Sequence, residues 1–197
     1  MSSFVRKFVI AILAIAIIAG SISTVDAYDR MGARGYAQSH YYWGVPGSWY
    51  FGDNDCTNFV SQTLFNGGKI KMTVNHPTNK WWYDSIWSYS YSWVQVQAFR
   101  DFMVNSGRGW EYPLNGVTAS NRPVSLTIGD IVQADGVRDP LVAADGIWEH
   151  TMIITEITNS DIYVTYRSNN RVDRPLSELF KAYPKSKYRV ILVRNDA

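Results

Sequence analysis

The sequence has very few residues that could form a disulfide or hold a transition metal. It contains one cysteine, Cys56, and three histidines, His40, His76 and His150, in 197 residues. A single cysteine excludes an internal disulfide, and a cysteine-rich zinc site is excluded for the same reason. The histidines are too scattered to predict a histidine-only zinc site. We therefore expect no metal and no other cofactor.

An excess of charge of either sign is also missing. Lys and Arg number 19 and Asp and Glu number 17, and charged residues make up only 18% of the chain. This balance argues against nucleic acid as a partner, because nucleic-acid binders usually carry a basic face or tail. The sequence lacks the G-x-S-x-G, phosphate-loop and H-E-x-x-H motifs. Its carboxylates do not exclude a glycosidase, because any two of them can meet in the folded protein. Aromatic residues reach 15%, enough to exclude disorder over most of the length.

The first 27 residues have the pattern of an export signal. Arg6 and Lys7 precede an uninterrupted apolar run at residues 8–19, and Val25-Asp26-Ala27 is typical of a cleavage site with small residues. The alternative is an uncleaved membrane anchor, but the run is shorter than the roughly 20 residues that a span needs. We predict a signal peptide at 1–27, a single secreted domain at 28–197, and no stable membrane insertion after cleavage.

The remaining chain predicts helices first and strands later. Asp29 is expected to cap a helix running to about Tyr42, and Asp55 to cap one from Cys56 to about Asn66. This order favours an α+β fold with an antiparallel sheet. The other predicted helices are at 94–105 and 175–183, and the strands are at 128–133, 150–157, 162–166 and 188–193, with a hairpin turn at 159–161.

Cys56 falls in the first turn of its predicted helix. The helix dipole and a nearby histidinium would lower the thiol pKa, while Asp55 spends its charge on capping. The alternative is a buried, inert cysteine. His150 begins a predicted strand and can face a cleft as a base; the alternative is a hydrogen-bonded histidine in the core, and the base is favoured only because a thiol is available. His40 is expected to pack among aromatic residues and His76 to be exposed.

The residues around Cys56 carry a resemblance to a known family. Gly52-Asp53-Asn54-Asp55-Cys56-Thr57-Asn58-Phe59-Val60-Ser61-Gln62, followed by Gly67-Gly68, resembles the signature of the bacterial putative amidase domain. That family has the papain-like cysteine peptidase fold and is related to the NlpC and CHAP cell-wall hydrolases. Weaker matches extend along the mature chain at 28–41, 81–82, 92–93, 99, 129–133 and 150–155.

The resemblance implies a helix-borne nucleophile, Cys56, packed against a sheet-borne base, His150. Relatives place a polar residue after the next strand to orient the histidine, often a histidine where this chain has Arg167. Arginine accepts no hydrogen bond, so Asn169 is the expected third member and Asn170 the second choice. The oxyanion would be held by the Cys56 backbone N–H, with Tyr50 as a candidate second donor.

The segment 81–93 is rich in aromatic residues. They could form a platform for sugar or peptide, but we favour a structural role because Trp81, Trp82 and Trp93 match the middle of the family pattern. Tyr89 and Tyr91 alternate with serines and are candidates for an exposed substrate-binding rim. Trp148, two residues before His150, is a further substrate-binding candidate.

The preferred hypothesis is a secreted, monomeric cysteine amidase or peptidase that cleaves an amide bond through a thioester. Export makes cell-wall peptide, and hence peptidoglycan, a plausible substrate. Two alternatives stay open: a non-catalytic wall- or glycan-binding module with a vestigial Cys56, and an acyltransferase that passes the acyl group to an amine.

Overall fold

The structure is a computed structural model that describes residues 27–42, 49–52, 55–75, 77 and 80–197. The predicted signal peptide up to residue 26 and the prediction for His76 lie outside these residues. Within the described ranges, no helix is long and apolar enough to cross a membrane.

The N-terminal part of the described chain is helical. Helix α1 spans Arg30–His40, and the Asp29 carboxylate caps it by accepting from the Gly32 N–H at 2.7 Å. Helix α2 spans Cys56–Gln62 and continues as a π-helical turn, Thr63–Gly67. A short hairpin of β1, Tyr83–Ser85, and β2, Ser88–Tyr89, leads to helices α3, Tyr91–Val94, and α4, Val96–Asn105.

The C-terminal part forms an antiparallel sheet of order β3-β8-β4-β5-β6-β7. Apolar and β-branched residues dominate its central strands, as buried sheet positions favour. A helix α5, Leu176–Ala182, connects β7 to β8. The strands are β3, Gly109–Pro113; β4, Ile131–Asp135; β5, Trp148–Ile157; β6, Ile162–Tyr166; β7, Arg171–Pro175; and β8, Lys187–Val193.

Side chains alternate across the sheet and build two cores. One face, with Ile131 and Ile153, packs on helices α1, α2 and α4 and on the buried Trp81 and Trp93. The other face, with Met152, carries α5. Helix α2 is therefore held against strand β5, and the Thr57 and Thr151 hydroxyls hydrogen-bond at 2.9 Å across that contact.

The predicted α+β class with an antiparallel sheet is confirmed. The hairpin turn at 159–161 is also confirmed, since Ile157 pairs with Ile162 in adjacent strands. Helix α1 ends at His40 rather than near Tyr42. His40 stacks on Tyr36 with ring centroids 4.0 Å apart, the packing role predicted for it.

Candidate active site

Cys56 is the first residue of α2 and faces the start of strand β5. On that strand His150 pairs with Ala134 and Trp148 with Asp135, so Glu149 is the extra residue of a β-bulge. A bulge frees backbone groups from the ladder and re-aims neighbouring side chains. The freed Glu149 carbonyl oxygen accepts from the Cys56 thiol at 3.9 Å. The bulge thus brings the strand that carries His150 to the thiol.

Cys56 and His150 line the same cavity, which has a volume of about 300 Å³. Helix α2 contributes Cys56, the bulge contributes Glu149 and His150, and the loop after β6 contributes Ser168 and Asn169. Within the described residues, no hydrogen bond joins the thiol to the imidazole. The remaining lining residues are Val137, Arg138, Tyr166, Arg174, Leu179 and Tyr183.

The thiol is protonated in this arrangement. Cys56 is only 5% exposed, and burial raises its pKa more than the Thr151 N–H and the Thr57 side chain lower it; the negative Asp55 raises it further. The expectation that the helix dipole and a histidinium would lower the thiol pKa is wrong here, because burial is the larger effect.

His150 is neutral for a related reason. Burial lowers the pKa of the imidazole to about 4, and the positive charge of Arg174 adds to the effect. The ring is perpendicular to the Tyr166 ring, with centroids 4.8 Å apart. A neutral imidazole that lines the same cavity as a neutral thiol can act as a general base, but the pair is not a preformed thiolate–imidazolium.

The predicted capping role of Asp55 is wrong. Its side chain makes no capping hydrogen bond to α2. One carboxylate oxygen accepts from Asn58 and from the Phe51 N–H, and the other pairs with Arg167 at 2.9 Å. Both charged side chains of the Asp55–Arg167 pair are fully buried. The Asp55 carboxylate pairs with the Arg167 guanidinium instead of capping α2, because a buried charge must be paired.

The polar residues after Cys56 have internal partners. Asn58 accepts from the Trp93 indole at 2.8 Å, and Ser61 accepts from the Trp81 indole at 2.9 Å. The Gln62 amide oxygen accepts from the Trp49 N–H at 2.9 Å. These contacts explain a polar run on a buried helix by packing and hydrogen bonding, while Cys56 is the residue of α2 that lines the cavity.

Of the remaining catalytic candidates, one lines the cavity and the others do not. Asn169 lines the cavity, although no hydrogen bond of its side chain to His150 is present among the described residues. Asn170 does not line it, and its backbone carbonyl accepts from Arg171. Tyr50 is 43% exposed and is not part of the cavity lining. Arg167 turns away from His150 toward Asp55.

The three substrate-binding candidates lie away from the cavity. Trp148 is covered by Arg189, whose guanidinium carbon lies 3.9 Å from the ring centroid. Tyr89 packs against Phe51, and Tyr91 is 67% exposed on α3. The bulge explains the first case: in a regular strand Trp148 and His150 would share one face, and the extra residue Glu149 interrupts this alternation.

Sequence reasoning missed Tyr166, Arg174 and Ser168. Tyr166 contacts the His150 ring, and its hydroxyl accepts from Arg174 at 2.8 Å. The Ser168 hydroxyl accepts from the Asp55 N–H at 2.8 Å and lines the cavity. Only the pairing of β5 with β6 and of β6 with β7 could have found them, because they are 16 or more positions beyond His150. Within the described ranges, no group of three His, Cys, Asp or Glu residues is placed to hold a metal ion.

Comparison with known proteins agrees with the motif around Cys56. The family model described as "Putative amidase domain" matches residues 27–191. The chain belongs to this family. It is 31% identical to the uncharacterized protein YjcM of Bacillus subtilis over 158 residues, which is 78% of this chain and 34% of YjcM.

A second B. subtilis relative, the uncharacterized protein YhbB, is 32% identical over 127 residues, covering 64% of this chain and 37% of YhbB. The chain thus spans about a third of the length of these two relatives. No solved structure matches it significantly.

Proposed function

We propose that this member of the amidase family is an exported, papain-like cysteine amidase or peptidase that cleaves an amide bond through a thioester on Cys56. The observation that carries the proposal is that the chain's single cysteine and His150, 94 positions apart, line one cavity. The family membership supports the hydrolase class. A cysteine at a helix start beside a histidine on an antiparallel sheet supports the papain-like relation.

The first step needs a rotation of the thiol. Cys56 Sγ points at the Glu149 carbonyl oxygen, and rotation about χ1 exchanges it between staggered positions. In the position facing the ring, neutral His150 accepts the thiol proton and the sulfur attacks the substrate carbonyl carbon. The raised pKa of Cys56 and the lowered pKa of His150 make both groups neutral before the reaction. Both shifts oppose the proton transfer, so the proton moves to His150 as the sulfur attacks the carbonyl carbon rather than beforehand.

The later steps return both groups to their starting state. The Cys56 backbone N–H stabilises the oxyanion, and the Ser168 hydroxyl is a better-placed second donor than Tyr50 because it lines the cavity. The carbon–nitrogen bond breaks as imidazolium gives its proton to the leaving amine. His150 then deprotonates a water that hydrolyses the thioester, which releases a carboxylic acid and the thiol. Asn169 is the proposed orienting residue.

The decisive experiment is digestion of purified peptidoglycan and of N-acyl peptide amides, with the products weighed by mass spectrometry. Cys56→Ala should abolish cleavage, and His150→Gln should lower kcat by about 100-fold to 10,000-fold. His40→Gln is the matched control, because His40 stacks on Tyr36 outside the cavity, and it should cleave at the wild-type rate.

Several outcomes would overturn the proposal. Cleavage by Cys56→Ala at the wild-type rate would remove the thiol from the mechanism. Binding of peptidoglycan without any product from wild type would favour the non-catalytic module. Recovery of the acyl group on an added amine, rather than on water, would make the protein a transferase.

A further inference from the structure

One of the cations that line the cavity pairs with a solvent-exposed carboxylate that lies outside the lining. Arg138 pairs with Glu149 at 3.1 Å, so these two lining charges offset each other. Among the described residues, Glu178 is the only acidic partner of Arg174, the third charged lining residue; it lies 3.7 Å away and its side chain is 59% exposed. The cavity therefore has a net positive end.

Arg174 is held in position rather than free in solvent. Its side chain is 21% exposed, and Nη1 donates to the Tyr166 hydroxyl at 2.8 Å. Among the described residues, Nη2 makes no hydrogen bond. A guanidinium with free N–H groups and a fixed plane is suited to a carboxylate, which it can bind through two parallel hydrogen bonds.

We infer that the cavity selects substrates that carry a free carboxylate next to the scissile amide, and that Arg174 binds this carboxylate. The inference rests on the proposed function, because it identifies the substrate class of the same cavity. Cys56 and Arg174 line one space of about 300 Å³. The reacting carbonyl and an adjacent carboxylate of one small substrate thus fit in it together. A bound carboxylate would also offset the charge that opposes protonation of His150.

Alkylation of Cys56 tests the positive cavity without any turnover. Iodoacetate and iodoacetamide differ in charge but react with the same thiolate, so the ratio of their rates cancels the thiolate population. At pH 8.5 and low salt, Arg174→Gln should lower the iodoacetate-to-iodoacetamide ratio by about fivefold. Arg174→Lys keeps the charge and should keep most of the ratio.

The matched control is Arg194→Gln, which removes an arginine paired with Asp196 and absent from the cavity lining; it should leave the ratio unchanged. If Arg174→Gln does not fold, added salt gives a measurement on the wild-type protein, because screening should reduce its ratio. A ratio insensitive to Arg174→Gln or to salt would overturn the inference. Absence of labelling by either reagent would overturn it too.

Substrate pairs complete the test. N-acyl peptide amides that differ only by a carboxylate or carboxamide beside the scissile bond should differ in kcat/KM, and Arg174→Gln should remove the difference. Equal kcat/KM for both substrates would overturn the inference while the amidase proposal stands. Turnover that survives Cys56→Ala would instead overturn the proposed function. The inference about Arg174 is unaffected by that result if, in proteins that keep Cys56, the alkylation ratio still responds to Arg174→Gln.

Discussion

Asp55, the residue before Cys56, pairs with Arg167. Neither side chain is exposed, and Arg167 also donates to the backbone carbonyls of His40 and Trp49. This arginine therefore ties together helix α1, the loop before α2 and the end of strand β6. The contacts that Arg167 makes next to Cys56 are structural, and removal of either charge of the Asp55–Arg167 pair would leave the other buried without a partner.

Loss of Arg167 should be strongly destabilising. We expect Arg167→Met to lower the free energy of unfolding by about 3–5 kcal/mol, because Asp55 stays buried and unpaired. The double variant Asp55→Asn with Arg167→Met should recover part of the loss. Urea unfolding at pH 7.5 measures both, with Arg194→Met as the exposed control. If Arg167→Met costs no more than Arg194→Met, the buried pair does not have this role.

Acid should destabilise the fold through His150. In the unfolded chain a histidine has a pKa near 6.5, whereas burial and Arg174 lower that of folded His150 to about 4. Between these values the unfolded state binds a proton that the folded state does not. The stability is fully present above about pH 6.5 and is lost as the pH falls toward 4, by at most about 3 kcal/mol.

Urea unfolding of wild type and His150→Gln at pH 7.5, 5.5 and 4.5 measures this contribution. The variant should lose less stability than wild type on acidification, and Arg174→Gln should reduce the loss by a smaller amount. Parallel stability–pH curves for wild type and His150→Gln would show that the ring is not held neutral.

At the scale of elements, the sequence predicted the central strands and missed the edges. Strand β6 was predicted with its exact bounds, because Ile162–Tyr166 is a run of β-branched and aromatic residues between turn residues. Strands β3 and β7 lie at the two edges of the sheet. They contain Gly, Pro and charged residues, which protect edges from pairing but remove the apolar alternation that prediction needs.

Helix α1 crosses the π-helical turn after α2 at a contact of two glycines. A Cβ added to Gly67 would lie 2.6 Å from the Gly32 carbonyl oxygen and 2.9 Å from Ala33 Cα. Backbone atoms cannot yield as a flexible side chain can, so this contact requires glycine. It fixes how closely α1 approaches the segment that carries Cys56.

Alanine at this crossing should separate the two elements. We expect Gly67→Ala to lower the free energy of unfolding by about 2–3 kcal/mol. The control is Gly35→Ala on the exposed side of α1, where an added Cβ meets nothing within 4 Å. That change should instead stabilise by about 0.5–1 kcal/mol through helix propensity. Similar effects of both substitutions in urea unfolding would contradict the close crossing.

At the scale of the whole molecule, the site depends on contacts that local patterns do not encode. The sequence motif pointed to Cys56, and a strand start pointed to His150, but the pKa of each group depends on burial by the other core elements. Arg174 and Tyr166 reach His150 only because β6 and β7 follow β5 in the sheet. The prediction that Asp55 caps α2 was wrong for the same reason, because its partner Arg167 is 112 positions away in the sequence.

Hydrogen bonds hold the two ends of the described chain together. Tyr28 is 5% exposed, its N–H donates to the Asn195 carbonyl at 2.7 Å, and its hydroxyl donates to the Gly129 carbonyl at 2.8 Å. Arg30 pairs with the fully buried Asp130 at 2.9 Å. Ala27, which immediately precedes Tyr28, is exposed. Cleavage after Ala27 would therefore remove no buried residue among those described.

N-terminal sequencing tests the predicted signal peptide: we expect protein recovered from outside the producing cell, the exported protein, to begin at Tyr28, and Ala27→Lys to block that cleavage by removing the small residue. The chain 28–197, made directly, should unfold with the midpoint of the exported protein. A chain 32–197 lacks Tyr28 and Arg30 and leaves Asp130 buried without its cation, so its midpoint should fall by about 10 °C. Equal midpoints for the two shortened chains would mean that the first residues do not close the fold, because the loss of a buried ion pair would then have no effect on stability.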